Sequence, residues 1–220
     1  MDKPPPATQK ILLLLLSTLF FSCSQTSPSV NSVEAYVVFD FDNEISKPQQ
    51  RLSVFVNLES EVQRTSAIIV KNKENSYIWN VSYPSLISAG DSQWAGYTNI
   101  VPCTGETIPQ GFYTVTYCNA LGETVDSSFS ISYNKDLCEK TSNEAVLLLG
   151  NIKQEKIAIY SHEGMLLFFD AKKRQWTNDE KIWAEFKDAT SYRTCYTLGK
   201  TMCLMPYVYK EALEEENGRQ

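Results

Sequence analysis

The chain has 220 residues, 43% of them apolar and 21% charged, which suits one large domain or two small ones with a packed core. Its net charge of −6 excludes a broad nucleic-acid surface, which needs clustered Lys and Arg to displace phosphate counterions. An aromatic content of 12%, alongside many Val, Thr and Ser, favours strands, because β-branched and aromatic side chains suit a half-buried pleated surface.

At the N-terminus, Lys3 and Lys10 accompany an apolar run from Ile11 to Leu16 that continues through Leu19, Phe20 and Phe21. A charged start followed by about a dozen apolar residues has the form of a secretory signal. It is short for a membrane span, which needs about 20. The composition turns polar abruptly after Ser22, at Cys23-Ser24-Gln25-Thr26-Ser27.

The segment Leu19-Phe20-Phe21-Ser22-Cys23 resembles the lipobox of bacterial lipoproteins, and in particular the relaxed boxes of spirochaetal ones. The resemblance implies that a signal peptide over residues 1–22 is removed and that Cys23 becomes the first residue, with a diacylglycerol on its sulfur and a palmitate-type acyl group on its amine. Phe20 and Phe21 depart from the small residues usual there, and only Ser22 is small. Cleavage after Ser24 and an uncleaved anchor are the competing readings. The lipid reading makes the bilayer a partner and places the protein at a bacterial cell membrane or outer membrane, facing the periplasm or the exterior. Residues 23–34 are then the lipidated Cys and a polar tether, whose leash would span about 30 Å if extended.

From residue 35 the pattern changes to period two. Val37, Phe39 and Phe41 share one face, and so do Leu52, Val54, Val56 and Leu58. Strands are also predicted over residues 67–71 and 77–83, separated by the turn-rich Asn72-Lys73-Glu74-Asn75-Ser76. Tyr113, Val115 and Tyr117 alternate in the next strand, and Asn119-Ala120-Leu121-Gly122 supplies a turn. Phe129, Ile131 and Tyr133 then alternate with Ser128, Ser130 and Ser132, the pattern of a strand with one wet face. Several short strands at this spacing favour an antiparallel β-sandwich. Residues 109–115 with 119–122 are loosely similar to the late strands of immunoglobulin-like modules in bacterial surface proteins. The resemblance extends over residues 35–134 and implies an Ig-like β-sandwich, with Trp79 as a core Trp but no intersheet disulfide from the strand at residues 52–58.

Residues 135–220 form an α+β extension expected to pack on the sandwich, or to continue it as one domain. Strands are predicted over residues 146–149, 157–160 and 165–169, the last two joined by Ser161-His162-Glu163-Gly164. A helix begins at Thr177, with Glu180 completing a capping box and Ile182, Trp183, Phe186 and Ala189 on one face. A hairpin of residues 192–198 and 201–204 follows, and Pro206 opens a terminal helix to Leu213. Glu211, Glu214, Glu215 and Glu216 make a solvated acidic end.

Beyond Cys23 there are five cysteines, which an exported chain would use for two disulfides and one spare thiol. Cys195 and Cys203 lie symmetrically about Gly199, so a turn there would set them opposite each other as a disulfide. Cys118 with Cys103 or with Cys138 remains open. With no close cysteine pair and one histidine, no zinc site is expected.

Motifs that carry chemistry are few. His162 is the one imidazole, in a turn-like setting, and there is no nucleophile elbow, phosphate loop or zinc helix. Asp40, Asp42, Asn43 and Glu44 offer oxygen ligands but lack the glycine that bends a calcium loop. Tyr77, Trp79, Val81 and Tyr83 share a strand face, with Trp94 nearby in sequence, and Tyr77, Trp79, Tyr83 and Trp94 are the candidate binding aromatics. The expectation is a non-enzymatic binding or structural module without a cofactor, whose partner is another envelope protein or a glycan. The alternative is a carboxylate-based periplasmic or surface hydrolase.

Overall fold

A computed structural model describes residues 27–59 and 64–210 of the chain. Cys23, the whole signal segment and the acidic end from Glu211 onward lie outside the described residues.

The fold is mainly β. Strands β1 (Val30–Asp40), β2 (Gln49–Leu58), β5 (Ser85–Ala89) and β6 (Ser92–Ile100) join β9 (Gln154–Ser161), β10 (Leu166–Asp170), β11 (Ala189–Leu198) and β12 (Thr201–Leu204) in one sheet of order β10-β9-β11-β12-β1-β2-β6-β5. The short β13 (Val208–Tyr209) adds to β11. The sheet is mixed, because β12 runs parallel to β1 while the other pairs are antiparallel. A second sheet has the order β4-β3-β7-β8, from β3 (Thr65–Asn72), β4 (Ile78–Val81), β7 (Gly111–Asn119) and β8 (Thr124–Ile131).

The alternating apolar rows explain how the sheets meet. Val37, Phe39, Leu52, Val54 and Val56 from the larger sheet share a buried cluster with Ile68, Val70, Tyr113, Val115, Tyr117 and Ile131 from the smaller. Ser128 and Ser130 stay exposed on β8, as the strict alternation requires. A separate cluster around Ile157, Ile159, Trp176 and Ile182 is packed by Phe168, Trp183 and Phe186.

Several expectations are corrected. β1 begins at Val30, inside the stretch read as tether, because Val30 and Val33 pair with Leu58 and Val56 and pack on the core. Residues 146–149 are not a strand but the end of a helix, α1 (Ser142–Leu149). Thr141 and Glu144 form its capping box, with the Thr141 amide donating to Glu144 at 2.9 Å. The later helix, α2 (Asp179–Glu185), is capped by Asn178, whose side chain accepts from the Lys181 amide, and Ala189 already belongs to β11. In place of a helix opening at Pro206, Val208–Tyr209 pairs with Ser191 and Tyr192. The C-terminal strands are hydrogen-bonded into the same sheet as β1.

The disulfide expectation fails on register. The hairpin forms, but its turn is the two-residue Gly199-Lys200, with Gly199 at φ 58°, so the axis falls between those residues rather than on Gly199. Cys195 therefore pairs with Leu204, and Cys203 with Tyr196. A slip of one residue turns a side chain to the opposite face. Cys203 faces the main core, whereas Cys195 packs with Val38 and Leu204 on the other side. Cys103, Cys118, Cys138, Cys195 and Cys203 are all free thiols.

The membrane expectation also narrows. Among the described residues no helix is long and apolar enough to cross a membrane, so an attachment has no spanning helix there to rest on.

Candidate functional site

Register assigns the faces of the large sheet. Val37 and Phe39 point into the core, so Tyr36 and Val38 point outward. Val38 pairs with Met202, Met202 with Thr197, and Thr197 with Gln154, which puts all of them on that outer face. Lys156 lies two residues beyond Gln154 and Phe169 pairs with Ala158, so both point the same way.

These side chains line a groove of about 410 Å³. Tyr36 stands on its β1 wall and Phe169 on its β10 wall, with Gln154, Lys156, Thr197 and Met202 between them. Its size falls within the range of about 300–1,000 Å³ usual for small-ligand clefts. Cations sit over both rings: the Lys156 ammonium is 5.3 Å from the Phe169 centroid and the Lys200 ammonium 5.1 Å from that of Tyr36. Lys200 is also paired with Glu34 at 2.9 Å, whereas Lys156 has no ion pair among the described residues. No lining residue is an Asp or Glu. The groove thus offers two aromatic faces, an amide, a hydroxyl and an ammonium.

A second cleft, of about 420 Å³, is lined by Lys172, Lys173, Arg174 and Trp176. Its central Lys173 is already held, by a 2.5 Å bond to Glu185 and by the rings of Phe168 and Trp176. Glu185 also accepts from the Trp176 indole at 2.6 Å, and the Lys173 bond, then the Trp176 bond, hold its carboxyl below the usual range.

The candidate aromatics are dispersed. Trp79 packs against the main core, stacks with Tyr77 at 4.9 Å and with Tyr113 at 6.5 Å, and donates its indole N–H to the Val101 carbonyl at 2.8 Å. Tyr77 is half-buried and bonds to Glu106. β4 ends at Val81, so Tyr83 lies past it and is 92% exposed. Trp94 belongs to the other sheet, opposite Asn57 and Ile87.

The nucleophile and cation readings find ordinary structural uses. Burial pushes the Cys195 thiol up to about 11 and the Cys203 thiol up to about 12. Burial likewise raises the thiols of Cys118 and Cys138, so none of these four supplies a thiolate at neutral pH. His162 is exposed in the β9–β10 turn. Asp40 pairs with Arg193 at 2.6 Å and Arg51 at 3.3 Å, Asp42 accepts from Gln49, and Asn43 accepts from the Ile45 and Ser46 amides. Among the described residues no cluster of three or more His, Cys, Asp or Glu side chains is grouped to hold a metal ion.

In comparisons with family models, curated proteins and solved structures, nothing matches this chain. The groove therefore carries the functional argument by its own chemistry. Sequence reasoning missed it because Tyr36 and Phe169 sit on the outward rows of two distant strands. The outward row of β1 was visible as the polar side of an alternating strand, and Tyr36 on it was the available signal.

Proposed function

We propose that this chain is a non-enzymatic binding module of a bacterial cell envelope, and that its outer-face groove takes a glycan. The observation that carries the reading is the pairing of two aromatic walls, Tyr36 and Phe169, with Gln154, Thr197 and Lys156 between them. Sugar rings present apolar C–H faces that suit aromatic side chains, and hydroxyls that suit amide, hydroxyl and ammonium partners. The lack of a carboxylate in the lining favours binding over hydrolysis, which uses a pair of flanking acids.

Two further parts belong to the proposal. The facing sheets with a shared core, and Trp79 packed on it, support an immunoglobulin-like sandwich over residues 35–134. The attachment is a lipid on Cys23, which rests on the Leu19–Cys23 segment. Two or more acyl chains anchor stably where one is marginal.

The test is a glycan array probed with the wild-type chain and with Tyr36→Ala. A set of glycans retained by wild type and lost by the variant is the expected result. Retention unchanged in Tyr36→Ala, or no retained glycan, refutes the groove reading. Labelling cells with radioactive palmitate tests the anchor separately, since Cys23→Ala must lose the label.

A further inference from the structure

The outermost strand of the large sheet opposite β10 is β5, and its far edge pairs with no strand among the described residues. Sheet edges are normally blunted by charges, proline, bulges or a covering segment, because open N–H and C=O groups template pairing with another chain. β10 follows that rule, with a register irregularity between Leu166 and Phe168 and a charge at Asp170. β5 does not. It reads Ser-Leu-Ile-Ser-Ala, all of it exposed, with regular register to β6. From Ser76 to Gly90 there is no charged residue, in a chain that is 21% charged.

We infer that β5 is a self-association edge, and that a second copy of this chain adds its own β5 antiparallel to it, about a twofold axis at Ile87. The hydrogen-bond phase supports that register. Gly90-Asp91 is a two-residue turn with Gly90 at φ 59°, closed by the Ala89–Ser92 pair. Such a closing pair is hydrogen-bonded, and bonded and unbonded pairs alternate along the ladder. Leu86 and Ser88 therefore turn their N–H and C=O groups to the open edge. With the axis at Ile87, Leu86 meets Ser88 of the second copy and the reverse, so both open pairs are satisfied.

The side chains agree with the same axis. Ile87, 46% exposed, meets Ile87 of the second copy on the face it shares with Trp94. No like charges meet along the strand. A five-residue edge buries less than the roughly 1,000 Å² of a stable interface, so the dimer is weak and concentration-dependent.

Oxidative cross-linking of the full-length chain in detergent tests the register. Ile87→Cys is expected to shift the chain to a disulfide-linked dimer, above the wild-type background set by exposed Cys103. Ser85→Cys mixed with Ala89→Cys is expected to cross-link, whereas Ser85→Cys with itself stays at background. Adding Ser88→Pro to Ile87→Cys removes an outward N–H without touching the β6 ladder, and the dimer band is expected to disappear. Ile87→Cys at background overturns the inference. So does Ser85→Cys cross-linking with itself as well as with Ala89→Cys, or a dimer band that survives Ser88→Pro.

Discussion

Removing Arg193 tests how the C-terminal strands are tied to the rest of the sheet. Its side chain is buried, with the residue only 3% exposed. It donates to Asp40 at 2.6 Å, to the Met205 carbonyl at 2.8 Å and to the Leu204 carbonyl at 3.1 Å, and stacks on Tyr207 at 4.3 Å. Arg193 lies on β11 and Asp40 ends β1, so the pair bridges past β12. Removing one partner of a buried ion pair costs about 3–5 kcal/mol, because the other charge and its hydrogen-bond acceptors are left behind. Asp40 keeps 23% side-chain exposure and regains some water, which places Arg193→Met near the lower end, at about 3 kcal/mol. Arg51→Met removes a longer, more exposed contact to the same carboxylate and is expected to cost about 1 kcal/mol or less. Urea unfolding followed by tryptophan fluorescence reads both; with a slope of about 2 kcal/mol per molar, the Arg193 variant shifts the midpoint down by about 1.5 M. A loss below about 1 kcal/mol for Arg193→Met, or equal losses for the two variants, refutes this reasoning.

Two further outcomes follow from local geometry. A Cβ on Gly96 would lie 2.3 Å from both the Phe55 ring and the Val54 carbonyl, and the backbone oxygen cannot move aside. Gly96→Ala is therefore expected to cost about 3 kcal/mol in the same urea assay, the upper end for overpacking, and a neutral result contradicts it. Glu144 is held below its ordinary value of 4.5, first by the Thr141 amide and then by the Thr141 hydroxyl. A carboxyl with a depressed folded pKa stabilises fully above its unfolded value and stops doing so as pH falls through the folded one. The stability difference between wild type and Glu144→Ala should be constant above that value and shrink below it, which a pH series of unfolding midpoints measures.

Strands with one core row and one polar row were legible from the sequence. β2 and β7 carry strict alternation and the structure buries the expected rows, whereas on β8 Ile131 is buried and Phe129 half-buried. β5 and β6 were not legible, because β5 is exposed throughout and Gly96 interrupts β6 where the Phe55 ring needs the space. The run Val146-Leu147-Leu148-Leu149 is too short for periodicity to separate strand from helix, and the capping box at Thr141 and Glu144 was the better signal. The disulfide expectation turned on whether one residue or two made the turn at Gly199. The groove depends on β12 lying parallel to β1, a long-range pairing that no local pattern encodes, and this is why Tyr36 and Phe169 escaped notice while Tyr77 and Trp79 drew it.

The central claim is that the outer-face groove binds a glycan between Tyr36 and Phe169, and calorimetric titration tests it most directly. A glycan selected on the array is titrated into wild type, Phe169→Ala and, as a control outside the groove, Tyr83→Ala. The account predicts binding that Phe169→Ala weakens at least about tenfold, the loss of roughly 1.4 kcal/mol of ring contact, and that Tyr83→Ala leaves intact. Equal affinity in wild type and Phe169→Ala, or a loss confined to Tyr83→Ala, contradicts it.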